Sequence, residues 1–436
     1  MSAFLAFRSL FATSLVVSAC SQSAEAPNFS SSAVAGATTQ AGSAAHSPST
    51  SGAGIGGTGA DNPDDSNSGA AGSGGAQVGG STPTPVTWRI LAETQDSNVY
   101  LNVPSAASRG KDAAVAYVES TNISSTETSD RVVMQRFDEN GEPIGSPIEL
   151  SDDVDRRSNV TLASDGEQYA ACWNTATEIH CSLVDGEGHA QSNPLAIAGQ
   201  YGTIVAGTSG WAIAYAGSDS RVRLQALTPS LELNGSYIGP QIFALPASKA
   251  DGPIFAATPS GYVLVGTNDE DGRNLSLLRL SPDLQSVVYA SPLGRSLWFS
   301  GQVVASDTRA AVSLGAAYGS FLLLLDAKKV TAELPISGGG KTGMDSALLL
   351  TEGGIGSACL DPGAGVRRRF FADGHDADIG VGDRVANAAL LGGPQEGSES
   401  YQQLLLVGDR TLLVARSQRY GLFSGAPLRV APLTFP

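Results

Sequence analysis

The side chains able to do chemistry are few and scattered. Cys172 and Cys181 flank the segment Trp173 to His180, which reads as a hairpin tip. With the tip centred near Ala176-Thr177, the two thiols face each other across antiparallel strands, and an oxidising compartment would close a disulfide. A one-residue slip would turn them to opposite faces and leave two unbonded thiols. Cys359 has no evident partner and is expected to be buried and inert. Acidic turns come next. Asn268-Asp269-Glu270-Asp271-Gly272 and Asp373-Gly374-His375-Asp376-Ala377-Asp378 crowd oxygens together, which makes Asp269 and Asp271 calcium candidates. Neither turn has the full loop with a terminal glutamate. Asp and Gly also fill hairpin tips because they tolerate left-handed backbone. The expectation is a solvated turn and no metal site.

Other catalytic patterns fail on spacing. Gly338-Gly339-Gly340-Lys341-Thr342 looks like a phosphate loop, but Pro335 stands where the first glycine belongs, and no helix follows. A glycine-rich connection is the better reading, and no cofactor is expected. The histidines are His46, His180, His189 and His375, with no compact ligand spacing. No nucleophile elbow of the G-x-S-x-G type occurs. A glycosidase carboxylate pair can lie far apart in sequence, so spacing neither reveals nor excludes it.

The elements that would position any site are repeats. Gly110-Lys-Asp-Ala-Ala-Val-Ala-Tyr117, Gly166-Glu-Gln-Tyr-Ala-Ala-Cys-Trp173, Gly210-Trp-Ala-Ile-Ala-Tyr215 and Gly261-Tyr-Val-Leu-Val-Gly266 are the clearest copies. Degenerate copies start at Asp307, Gly354 and Gly408. Each is a turn followed by a short apolar strand, and the copies lie about 44 to 56 residues apart, a repeat-protein period. Each unit adds a strand before the turn, such as Val160 to Ala163. It also adds a third strand ending in a polar turn, such as Arg131 to Phe137 before Asp138-Glu-Asn-Gly141, and a brief fourth. Four antiparallel strands divided by Asp-Gly and Asn-Gly turns make a propeller blade. No segment has a helical apolar period. The fold class is therefore all-β, a seven-bladed β-propeller; six or eight blades also fit the degenerate copies, and a pair of two-sheet sandwiches is the rival. The last unit supplies Tyr401 to Val407, Thr411 to Ala415 and Tyr420 to Val430. Trp88 to Ala92 is expected to complete it, clasping the two ends of the domain.

The N-terminus has signal-peptide form: Arg8, then a short apolar run from Ser9 to Val17, then the small residues Ser18 and Ala19. It is too short to span a bilayer, which takes roughly 20 apolar residues. Leu15-Val16-Val17-Ser18-Ala19-Cys20 resembles the lipobox of bacterial lipoproteins. That resemblance implies acylation of Cys20 with diacylglycerol, and usually an N-acyl chain, so that the lipid bilayer is the first partner. Two or more chains hold stably, at about 0.8 kcal/mol per buried methylene. Ser21 follows the cysteine, where an aspartate would favour retention in the inner membrane; the resemblance thus implies the outer membrane, with a periplasmic or surface-exposed domain. Residues 1–19 form the leader. Residues 20–85 are a Gly/Ala/Ser-rich tether too poor in apolar bulk to offset its ordering entropy, with a reach of roughly 45 Å. Residues 86–436 are the propeller. The whole chain resembles envelope lipoproteins with degenerate propeller domains, although the dipeptide of WD40 repeats and the spacing of kelch repeats are missing.

A net charge of −16 excludes a nucleic-acid partner, which needs a basic face. Arg367-Arg368-Arg369 is the one dense basic cluster and reads as an exposed strand or hairpin. The expected function is a membrane-anchored, monomeric, non-enzymatic binding or scaffold domain for a protein or carbohydrate ligand. The alternative is a propeller glycoside hydrolase or other carbohydrate-active enzyme. Docking loops are expected at Ser120 to Asp130, Gly217 to Ser220 and Asn268 to Arg273.

Overall fold

The computed structural model describes residues 88–433 apart from 94–98, 102–103, 124–127, 153, 155–159, 176, 220, 239–252, 268–274, 295–300, 317–318, 327, 336–345, 362–364, 373–382, 385–397 and 419–426. Cys20, Asp269, Asp271, His46, His375 and the Gly338–Thr342 segment lie outside the described residues. Among the described residues there is no helix, and hence none long and apolar enough to cross a membrane.

The strands form seven antiparallel sheets. Numbered in chain order, their inner strands are Ser105–Arg109, Thr161–Ser164, Gln200–Gly207, Ile254–Thr258, Gly301–Ala305, Ser346–Thr351 and Ser398–Val407. The second sheet shows the unit plainly: Thr161–Ser164, Tyr169–Asn174, Glu178–Val184 and Leu195–Ala198 pair each with the next. The recurrent turns of the sequence join inner to second strands in every sheet. This is a β-propeller of repeated four-stranded blades.

The second strands read as unbroken apolar runs because both of their faces are covered. In Asp112–Asn122, alternate residues go to opposite neighbours. Ala113, Val115 and Tyr117 join a core with Leu405, Leu412 and Val414 of the seventh sheet. Ala114, Ala116 and Val118 join one with Leu162, Ala171 and Trp173 of the second. Every sheet shares one core with each neighbour in this way, and the seventh shares one with the first. Burying apolar faces between wedges is what a lone blade cannot do.

The two ends of the domain meet in the seventh sheet, where Arg89–Ala92 pairs antiparallel with Leu428–Leu433. Arg89 forms an ion pair with Glu142 in the first sheet. Beside it the Gly408 N–H donates to the Gly110 carbonyl at 2.6 Å, and Arg410 donates to Asn140 Oδ1.

Two details depart from the expected grammar. The inner position of the first sheet is split, with Val99–Leu101 and Ser105–Arg109 both pairing on Asp112–Asn122, so this sheet has five strands. Pro104 sits at the break, and its missing N–H cannot serve a ladder. The third strand of the last unit, Leu428–Leu433, runs past the expected Val430, and residues 420–426 of the expected span lie outside the described residues.

The turns from third to outer strands share one device. Asp138 Oδ1 accepts the N–H groups of Asn140 and Glu142, both at 2.8 Å. Thr228 and Ser281 use their hydroxyls the same way on Glu232 and Ser286, at 3.0 Å each. Such local side-chain bonds hold a turn against competing backbone pairings.

Gly210 shows why a glycine recurs at the head of second strands. Its φ is +141°, and a Cβ there would lie 2.3 Å from the Leu227 carbonyl oxygen. Gly110 differs: φ is +62°, and nothing lies within 4 Å of its Cβ position. Gly110→Ala should therefore cost only the left-handed backbone penalty, about 1 kcal/mol. Gly210→Ala adds a collision with backbone and should cost about 3 kcal/mol or more. Urea midpoints of the two variants check the difference.

Candidate binding cavity

The inner strands present one edge to the propeller axis. Their N–H and C=O groups on that edge have no fifth strand to pair with, so side chains or solvent must serve them. Short uncharged polar residues do this. The Leu162 N–H donates to Ser105 Oγ at 3.0 Å, and the Leu348 N–H donates to Gln302 Oε1 at 3.2 Å. The Ala106 N–H donates to Gln403 Oε1 across the junction of the seventh and first sheets. Thr161 Oγ1 donates to the Gly202 carbonyl at 3.0 Å. Each bond links one inner strand to the next.

These residues line a cavity of about 330 Å³ to which all seven sheets contribute. Ser105, Thr161, Thr203, Gln302 and Gln403 supply its polar wall. Leu162, Ile204, Phe255, Val303 and Leu404 supply apolar surface. Among the described residues no charged side chain lines it. Thr203 Oγ1 is buried there with no hydrogen-bond partner.

Sequence reasoning placed the binding loops elsewhere. Of Ser120 to Asp130, the structure puts Ser120–Asn122 and Thr128–Asp130 in paired strands, with Ser120 opposite Asp130. That is a correction: most of the expected loop is hairpin ladder, whose pairing continues the long strands on either side. Gly217 to Asp219 form a tight turn, in which the Gly217 N–H donates to the Arg221 carbonyl at 2.8 Å and Asp219 pairs with Arg223 at 2.6 Å. Asn268 to Arg273 lie outside the described residues. Arg367, Arg368 and Arg369 sit in the strand Gly365–Ala372, paired on both sides. The cavity residues were missed because a polar residue four or five positions before a turn matches no motif. The signal was a Ser, Thr or Gln set just before the short apolar stretch that leads into the turn in five of these inner strands.

Cys172 and Cys181 are register partners in the second sheet, both buried, with Cα atoms 4.1 Å apart and sulfurs at 2.06 Å. One acidic group lies outside the cavity. Asp185, Glu187 and His189 bring one ligand atom each within 4.8 Å of the others. Asp185 Oδ1 already accepts three backbone N–H groups, from Glu187, Gly188 and His189, and its Oδ2 contacts His189 Nδ1 at 3.0 Å.

Asp112 sits at a node of charges. It takes Arg109 at 2.7 Å, Arg136 at 2.9 Å and the Tyr169 hydroxyl at 3.2 Å. Arg109 also donates to the Glu167 and Gly186 carbonyls and lies 5.3 Å from the centre of the Tyr169 ring. Burial works to raise the Asp112 pKa, but the hydrogen bonds from Arg109 and Arg136 outweigh it and hold the carboxyl below its ordinary 3.8. The node joins the first and second sheets and is structural.

No protein-family model matches the sequence, and no curated protein matches it. The solved structures it is similar to are of very low identity. A Trypanosoma rangeli sialidase is 9% identical with a TM-score of 0.41, the match covering 76% of this chain and 53% of that one, so the chain spans about half of the sialidase. An uncharacterized protein from Listeria monocytogenes is 9% identical with a TM-score of 0.42, covering 74% of this chain and 90% of the other. The hemagglutinin-neuraminidase ectodomain of parainfluenza virus 5 is 10% identical with a TM-score of 0.41, covering 81% and 84%.

Proposed function

We propose that the protein is an extracytoplasmic lipoprotein, anchored through acylated Cys20 in the outer membrane, whose propeller is a non-enzymatic binding or scaffold domain. In this reading all seven sheets are blades of one ring, residues 20–85 are its tether, and export keeps Cys172 and Cys181 oxidised. The seven shared cores support the blade count. The observation that carries the binding role is the cavity wall, where uncharged groups cross-link neighbouring inner strands at the place where a hydrolase would concentrate acids and bases. Among the described residues such a wall can hold a ligand but offers no group to move a proton.

Two measurements test the reading. Metabolic labelling with an alkynyl palmitate should mark the wild-type chain, and Cys20→Ala should lose the label and move the protein to the soluble fraction. Unlabelled wild type would overturn the anchor. The detergent-solubilised chain should leave fluorogenic glycosides and esters intact. Turnover that one Asp or Glu substitution abolishes would overturn the non-enzymatic role.

A further inference from the structure

We infer that the axial cavity is a binding site for an uncharged, polyhydroxylated ligand of monosaccharide size. This rests on the binding role above and names its site and ligand class. The argument starts from what each wall group has left after its structural bond. Ser105 Oγ accepts from Leu162 and keeps its own hydroxyl hydrogen. Gln403 Oε1 accepts from Ala106, leaving the two hydrogens of its Nε2. Thr161 Oγ1 donates to Gly202 and keeps its lone pairs.

These residual valences belong to side chains already fixed by a first bond on rigid strands. Little rotamer freedom is lost when a ligand engages them, which is preorganisation. The absence of charged side chains from the described wall selects against ions, since a charge desolvated there would find no counter-charge. Phe255 and Ile204 supply an apolar patch beside the polar groups. A molecule with hydroxyls on its rim and C–H groups on its faces meets both surfaces. At about 330 Å³ the cavity is at the small end of ligand pockets, suited to one sugar ring or a cyclitol.

The test uses the full chain in detergent with methyl glycosides of glucose, galactose and mannose and with myo-inositol. Glucuronate and N-acetylneuraminate are the charged comparisons. Ligand-observed NMR and thermal shift read binding. At least one neutral probe should bind, and more tightly than either acid. Gln403→Glu keeps an acceptor for the Ala106 N–H, removes the two Nε2 hydrogens and should weaken binding of the neutral probe about tenfold. Ala106→Leu fills the cavity and should abolish binding. Failure of every neutral probe, preference for an acid, or binding unmoved by Gln403→Glu would overturn the inference. Any of these leaves the binding reading to its own measurements, because a partner held on the outer loops would ignore both cavity variants.

Discussion

Replacing Leu91 with aspartate should release the strand that joins the two ends of the domain. Leu91 is 6% exposed and packs with Leu405, Val407, Leu428, Val430 and Tyr117. The strand it belongs to is four residues long and has only three register pairs, interrupted by a bulge. Its backbone bonds alone are therefore a weak hold, and Leu91 is its principal apolar anchor. Truncating a buried leucine costs 2–5 kcal/mol, and a carboxylate in the same place adds desolvation. We expect a loss of about 4 kcal/mol, or roughly 5 °C on melting for a domain of this size. Release also bares the edge of Leu428–Leu433, an unpaired ladder that invites another chain. Concentration-dependent oligomers on light scattering should accompany the lower melting point. A conservative Ile90→Val in the same strand should do neither, since Ile90 is 46% exposed.

The second large effect concerns Asp112. Its partners Arg109 and Arg136 have side chains only 14% and 12% exposed. Asp112→Asn keeps the shape and removes the charge, leaving two guanidinium groups against each other. Breaking a fully buried pair costs 3–5 kcal/mol; with solvent reaching these partners, about 2–3 kcal/mol is expected. The pH dependence carries the signature. The carboxyl's folded pKa is below its ordinary 3.8, so its stabilising contribution is fully present above that value and fades as pH falls through the folded pKa. Wild type should therefore exceed Asp112→Asn by a constant margin at neutral pH, and the two urea midpoints should converge as pH falls below 3.8 and through the lowered folded pKa. Parallel curves down to acid would show that the node contributes through packing alone.

Much of the architecture was legible because turns and strand pairs are local. Asp138 and Asn140 sit in the polar turn where the sequence put it, and Cys172 faces Cys181 because the hairpin tip fixes the register. Trp88 to Ala92 was legible as a stray fourth strand because the last unit lacked one. Other features were hidden because a second force compensates a broken local rule. Leu231 and Leu284 stand where Gly141 stands in the first sheet, at φ +61° and +60°. Each is 3% exposed, so burial of the side chain offsets the backbone cost that would otherwise demand glycine. Gln135 and Gln225 occupy bulged register in two third strands, where each Nε2 donates to the carbonyl of the next residue, at 2.7 and 2.8 Å. A buried glutamine in an apolar strand reads as an error until the bulge is seen. The cavity was illegible because its five polar residues come from strands up to 298 positions apart, and no spacing rule joins Ser105 to Gln403.

A closed ring is the premise of the cavity and of the anchored binding domain alike, and a cross-link across its seam tests it most directly. Arg89 and Val430 are register partners in that seam. Cysteines at both positions, in a chain also carrying Cys359→Ser, should oxidise to an intramolecular bond, run faster on a non-reducing gel and raise the melting temperature. Reduced thiols, or chains linked to one another, would contradict the account.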